Sequence, residues 1–122
     1  MKPNIQERTE DFAVDIILFC KKLFQSKIGS ILGNQLIRSG TSIGANVYEA
    51  QNAQSHADFI HKMSISQKES SETSYWLRLL KRTQLAEEME TKKLLQESNE
   101  IHKVVSAIVV SAKRNKSAKN KH

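Results

Sequence analysis

The segment from Gln35 to Leu80 constrains the fold of this chain more than any other part of it. It contains two stretches of helical length whose middle positions hold small and polar residues, where large aliphatic ones would be expected on a buried face. Gly40 and Gly44 would each cost about 1 kcal/mol relative to Ala in a helix interior, which indicates a packing requirement. The pattern therefore predicts two closely packed helices with polar side chains between them.

Apolar residues recur at spacings of three and four along most of the chain, which is the periodicity of amphipathic helices. Thr9, Glu10 and Asp11 suit a helix start, and Ser55 with Asp58 resembles a capping box at the start of the third helix. Short links and the lack of a strand pattern predict an all-α, up-down-up-down antiparallel four-helix bundle. The predicted helices run over about 9 to 26, over about 31 to 53, from the capping box to about 82, and over about 86 to 112.

The predicted hairpin of helices 2 and 3 brings particular residues together. If the chain turns back at about residue 55, positions whose numbers add to about 110 face each other. Small residues then oppose small residues, and Arg38 lies opposite Glu72. We expect this ion pair to set the register, because removing one partner of a half-buried pair costs about 3–5 kcal/mol. The other expected neighbours are Val47 with Met63, Asn46 with Ser64, and Ser39 and Gly40 with Ser70 and Ser71.

Ser42, Asn46 and Glu49 recur at spacings of four and three, which places them on one face of helix 2. Together with Arg38 and Glu72 they form a predicted polar network between the helices. We interpret this network as structural, because such side chains readily hydrogen-bond to nearby backbone or face solvent. A polar binding site is the alternative.

The net charge of +6 is concentrated at the C-terminus. Residues 113–122 contain five basic and no acidic side chains, whereas the other 112 residues contain 14 basic and 13 acidic ones. We therefore predict a four-helix bundle over residues 1–112 and a basic, disordered tail over 113–122. Such a tail is either a solvated end or a contact for nucleic acid or another acidic surface. Its candidate phosphate-binding residues are Lys113, Arg114, Lys116, Lys119 and Lys121.

A second basic cluster, formed by Arg78, Lys81 and Arg82, follows Tyr75 and Trp76 at the predicted C-terminal end of helix 3. Positive charge at this position complements the helix dipole, and that effect suffices to explain the cluster. The alternative is a phosphate-binding patch with an aromatic neighbour for base stacking.

Several classes of function lack their usual motifs. Cys20 is the only cysteine, which excludes an intramolecular disulfide and a cysteine-based zinc site. His56 and His61 diverge around a helix and His102 stands alone, so we predict no metal site. Without a phosphate-binding loop or a hydrolase motif, we expect no enzyme activity and no cofactor. Without a signal peptide or a long apolar run, we expect a cytoplasmic protein with no membrane contact.

The most specific sequence pattern lies in helices 2 and 3. It consists of Gln35-Leu36-Ile37-Arg38, Ser42-Ile43, Ala45-Asn46-Val47, Glu49-Ala50, Phe59, Ser64-Ile65 and Glu72. With this pattern the chain resembles the four-helix-bundle proteins encoded within intervening sequences of 23S ribosomal RNA genes, and the resemblance extends over nearly the whole chain.

Members of that family look like up-down bundles that assemble into homopentameric rings, so the resemblance implies a homopentamer. The family has no established enzyme activity. A related group, the accessory variability proteins of diversity-generating retroelements, uses a similar basic pentamer to bind a reverse transcriptase and nucleic acid. The resemblance therefore implies a non-enzymatic accessory protein that binds RNA or DNA through its basic surface and tail, with a reverse transcriptase as one candidate protein partner. A structural assembly protein that acts by protein–protein contacts alone is the alternative.

Overall fold

The computed structural model describes residues 4–120, and the side chains of residues 4–115, as an antiparallel bundle of four helices. The second helix packs between the first and third, the third packs against the fourth, and the first closes the bundle against the fourth through fewer contacts. The predicted all-α four-helix bundle is confirmed, and the described residues contain no strand. The helices are α1 (Ile5–Leu23), α2 (Lys27–Gln51), α3 (His56–Thr83) and α4 (Glu88–Asn120).

Side-chain caps make α1 and α2 begin earlier than their apolar patterns predict. α1 begins at Ile5 because the Asn4 side chain accepts a hydrogen bond from the Glu7 amide at 2.8 Å. α2 begins before its first apolar stripe because Ser26 Oγ accepts from the Gly29 amide at 3.0 Å. Asn4 and Ser26 are residue types that commonly cap helices, but the predicted helix starts followed the periodicity of the large apolar residues.

The predicted cap of α3 is confirmed, because Ser55 Oγ accepts from the Asp58 amide at 3.0 Å. α3 ends at Thr83, and the next residue, Gln84, has the left-handed backbone conformation, with φ of 55°, that often terminates helices. The Glu87 carboxylate then accepts from the Glu90 amide at 2.7 Å, and this hydrogen bond lowers the pKa of Glu87. The last connection is therefore marked by local hydrogen bonds, although it contains neither Gly nor Pro.

α1 and α2 approach closely at Gly40 and Gly44. A β-carbon at Gly40 would lie 2.9 Å from Cγ2 of Ile16, and one at Gly44 would lie 3.2 Å from the Thr9 carbonyl oxygen. The packing requirement predicted for these glycines is confirmed, but the partner helix differs. Gly40 faces α1, not α3 as the sequence predicted.

The core draws on all four helices and includes buried hydroxyl groups as well as apolar side chains. Every buried side-chain nitrogen and oxygen in the described part of the chain has a hydrogen-bond partner, as is usual for buried polar groups. The buried polar residues are Thr9, Ser39, Ser66, Ser70, Thr73, Ser74, Thr91 and Ser98. Some of the largest fully buried side chains are Phe12, Ile16, Leu36, Ile43, Met63, Leu77, Leu80 and Ile101.

α4 extends further than its apolar pattern predicts. Its last buried side chain among those described is Ala112, whose carbonyl oxygen lies 2.8 Å from Nε2 of His56, but the helix continues to Asn120. No Gly or Pro follows Ala112, and basic side chains complement the dipole at the end of a helix, so nothing in the segment favours termination. The helix thus includes residues 113–120, for which the sequence predicted disorder.

Candidate nucleic-acid interface

The interface between α2 and α3 follows the predicted register. Ser66 Oγ donates to the Ile43 carbonyl oxygen at 3.0 Å, and Thr73 Oγ1 donates to Ser39 Oγ at 3.0 Å. All of these groups are buried. Small hydroxyl side chains therefore let the two backbones approach while satisfying each other's hydrogen bonds.

The predicted polar network of α2 splits into local contacts. Asn46 Nδ2 donates to the carbonyl oxygen and to Oγ of Ser42, at 2.8 and 3.1 Å, within the same helix. Glu49 forms an ion pair with Lys62 of α3 at 3.1 Å, with its own side chain about half exposed. These residues satisfy one another along α2 and at its edge, and do not converge on a shared binding site.

The predicted ion pair between Arg38 and Glu72 is wrong. Glu72 Oε1 accepts a hydrogen bond from Trp76 Nε1 at 3.3 Å, and no ion pair among the described residues joins it to Arg38. Thr73 occupies the position that faces α2, through its bond to Ser39. Successive residues of a helix point about 100° apart, so Glu72 lies at the outer edge of the interface.

A denser set of hydrogen bonds lies on the other side of α3, against α4. The sequence did not predict these bonds, because its pattern gives no register between α3 and α4. The available signal was the spacing of serines at three and four residues within α3. These bonds fix α3 against α4 through polar contacts in place of large apolar side chains. They join Ser70 with His102 at 2.8 Å, Ser74 with Ser98 at 2.7 Å, and Gln67 with Ser106 at 3.0 Å.

Ion pairs connect α1 to α4, where the helices make the fewest contacts. Arg8 donates to both carboxylate oxygens of Glu97, at 2.9 and 2.6 Å, and to Glu100 at 2.8 Å. The hydrogen bond to Glu97 is the largest cause of a raised pKa of Arg8, and the bond to Glu100 adds to it. Lys22 pairs with Glu90 at 2.9 Å near the other end of the interface. Charges within the bundle are thus used to hold it together.

The whole net charge of the protein lies near the end of the chain. Residues 1–100 contain 13 basic and 13 acidic side chains, whereas residues 101–122 contain six basic and no acidic ones. Lys113 and Arg114 are exposed, directly after the last buried turn of α4. Three further predicted phosphate contacts lie outside the residues whose side chains are described: Lys116, Lys119 and Lys121.

Arg78, Lys81 and Arg82 lie towards the opposite end of the bundle. All three are exposed, and none forms an ion pair with any other described residue. α3 rises about 39 Å between His56, which contacts the end of the packed part of α4, and Arg82. The two predicted basic groups therefore do not form one site.

Of the two predicted aromatic neighbours, Tyr75 has the accessible ring. Tyr75 is 47 % exposed, whereas Trp76 is partly buried and donates to Glu72. The two rings pack edge to face, with centroids 5.2 Å apart. The guanidinium carbon of Arg78 lies 6.0 Å from the centre of the Tyr75 ring, within the range of a cation–π contact.

Two other kinds of feature are missing from the described part of the chain. It contains no cluster of His, Cys, Asp and Glu residues that could hold a metal ion, and no helix long and apolar enough to cross a membrane. Cys20 is buried, with Sγ 3.6 Å from the Gly33 carbonyl oxygen, and this burial raises the pKa of its thiol to about 11.

Comparison with known proteins agrees with the fold. The family described as 23S rRNA-intervening sequence protein matches residues 2–107, so most of the basic end lies beyond the match. A protein with unknown function from the S23 ribosomal protein family of Bacteroides thetaiotaomicron has a similar crystal structure. It is 40 % identical, with a TM-score of 0.82, over 87 % of this chain and 98 % of that chain. No curated protein matches the chain. The chain belongs to the family of 23S rRNA-intervening sequence proteins.

Proposed function

We propose that this protein is a non-enzymatic, cytoplasmic accessory protein that binds RNA or DNA through the basic end of α4. One observation carries the proposal: residues 1–100 are formally neutral, and the whole excess of positive charge lies in residues 101–122. Nucleic-acid backbones are polyanions, and side chains that neutralise phosphates gain affinity by releasing counterions. Within the bundle, by contrast, Arg8 and Lys22 are already paired with carboxylates.

The form of the segment supports the same role. α4 carries Lys113 and Arg114 beyond the last buried turn, where they are exposed to solvent. A helical segment loses less conformational entropy on binding than a disordered one. Backbone contacts of this kind carry no sequence information, so binding is expected to tolerate many sequences.

Truncation after Ala112 tests the proposal. If all five tail cations neutralise phosphates, log affinity falls with log salt at a slope of about −3.5 for single strands and about −4.5 for duplexes, counting one tail. Fluorescence anisotropy with labelled RNA and DNA, titrated over a range of salt concentrations, measures both the affinity and the slope. The truncated protein should keep its helical content by circular dichroism while losing most of its affinity at about 0.1 M salt.

The matched control neutralises the other basic cluster, with Lys81→Ala and Arg82→Ala in the full-length chain. It should change the affinity far less than truncation does. Unchanged binding after truncation would contradict the proposal and would place the phosphate contacts at Arg78, Lys81 and Arg82. If the full-length protein binds neither RNA nor DNA at low salt, the protein acts through protein–protein contacts.

We also propose that the protein self-associates, because α1 exposes an apolar patch about one turn long. Val14, Ile17 and Leu18 lie on one side of α1 by their spacing, and Val14 and Leu18 are 50 % and 54 % exposed. Contiguous apolar patches on a protein surface often mark sites of protein–protein interaction. The family resemblance supports five subunits, and closed rings are a common form of soluble assembly. Light scattering at micromolar concentration should give an oligomeric mass, which Leu18→Lys reduces; a monomer in the wild type would contradict this proposal.

A further inference from the structure

A shallow groove runs along the outer side of α3, next to α4. It has a volume of about 540 Å3 and combines donors, cations and one aromatic ring. From Ser64 to Arg78 the helix rises about 21 Å, so the groove has room for more than one planar group along its length. The residues on which the argument depends are Ser64, Lys68, Ser71, Tyr75 and Arg78 from α3, and His102 from α4.

The ring of Tyr75 is supported from the side and open towards solvent. Trp76 packs edge-on against it at 5.2 Å and is itself held by the hydrogen bond to Glu72. Tyr75 is 47 % exposed, and the guanidinium carbon of Arg78 lies over its ring, 6.0 Å from the ring centre. An incoming planar group could stack on the ring in the place of this guanidinium, which belongs to an exposed side chain that can move aside. The Arg78 guanidinium then lies within reach of an anionic group attached to it.

His102 is oriented by α3. Its Nδ1 lies 2.8 Å from Ser70 Oγ and 3.2 Å from the Gln67 carbonyl oxygen. Its other ring nitrogen, Nε2, has no hydrogen-bond partner among the described residues, and His102 lines the groove. An oriented imidazole with one uncommitted nitrogen can donate to or accept from a base edge.

The charge of the groove is small. Lys68 and Arg78 contribute two positive charges and Glu72 one negative charge, and Lys68 lies 3.8 Å from Glu69. Such a balance gives little attraction for a duplex backbone, which is bound mainly through many cations. The groove is suited to a ligand that offers a planar face, polar edges and about one negative charge per planar group.

We propose that this groove binds unpaired nucleobases of a single strand, with one base stacked on Tyr75. This inference rests on the proposed nucleic-acid binding by the end of α4 and adds a preference for single strands, because bases in a duplex have their faces covered by neighbours. His56 contacts Ala112 of α4, and along α3 it is about 12 Å from Ser64, at the near end of the groove, and about 29 Å from Tyr75, so only a strand that extends along the groove can reach both surfaces.

Tyr75→Ala in the full-length protein tests the proposal. Removing a stacked aromatic residue weakens single-strand binding by about fivefold to about a hundredfold. The salt slope should stay unchanged, because no cation is removed, and Tyr75→Phe should bind as the wild type does. The probes are a labelled oligouridylate of about 12 nucleotides and an RNA duplex of the same length, measured by anisotropy. Tyr48→Ala is the matched control, because Tyr48 is 60 % exposed on α2 and should have no effect.

The outcomes separate this inference from the proposed function. If the wild type binds and Tyr75→Ala binds the oligouridylate equally well, base stacking at the groove is wrong while binding by the end of α4 stands. An equal loss of duplex and single-strand affinity would also overturn the inference. A wild type that binds neither probe at low salt overturns both proposals. Quenching of the fluorescence of Trp76, the only tryptophan, on adding oligouridylate to the wild type gives a second measurement that needs no variant.

Discussion

Replacing Gly40 with alanine tests the close approach of α1 and α2. The new methyl group would lie 2.9 Å from Cγ2 and 3.1 Å from Cγ1 of Ile16. Ile16 is fully buried and branched at its β-carbon, which restricts the side-chain movements that could relieve this contact. Overpacking a core costs about 1–3 kcal/mol, whereas replacing Gly by Ala in a helix interior stabilises by about 1 kcal/mol. The net expectation is a loss of about 0–2 kcal/mol in the free energy of unfolding.

Gly33→Ala is the matched control in the same helix. Its new methyl group would lie 3.4 Å from Cβ of Leu23 and 3.5 Å from the Phe24 ring, which are ordinary contacts. This variant should therefore show only the gain in helix propensity of up to about 1 kcal/mol. Denaturant unfolding followed by circular dichroism measures the stability of both variants, at equal protein concentrations because self-association is proposed. The expected difference between the two variants is about 1–3 kcal/mol. If Gly40→Ala is as stable as Gly33→Ala, the packing argument is refuted.

Two further predictions concern the ion pairs and the buried thiol. Arg8→Ala should lower stability by about 1 kcal/mol, since its partly buried pair with Glu97 is bidentate, and the loss should shrink in high salt. Lys22→Ala, which removes an exposed pair, should cause no measurable loss; equal losses would contradict this reasoning. Because burial raises the pKa of Cys20 to about 11, the unfolded state loses the thiol proton first as pH rises. The free energy of unfolding should therefore fall between about pH 9 and pH 11 in the wild type, and fall less in Cys20→Ala. Fast labelling of Cys20 in the native protein at pH 8 would contradict its burial.

The sequence determined the number and type of the helices, the antiparallel order and the register between α2 and α3. These features depend on local propensity and on the period of apolar residues, which a linear pattern contains. The pattern also located the excess charge, although it predicted disorder where α4 continues as a helix. It missed the early start of α1, because a single cap at Asn4 carried less weight than the apolar stripe.

Only the tertiary structure decided which helix each polar side chain faces. The periodicity of residues along a helix shows which side chains share a face. It does not show which neighbouring helix packs against that face. For this reason Gly40 faces α1, Thr73 takes the place expected for Glu72, and the serines of α3 bond to α4. The structure likewise shows that Arg78, Lys81 and Arg82 lie far from the basic end of α4, because the long helix α3 separates them along the bundle.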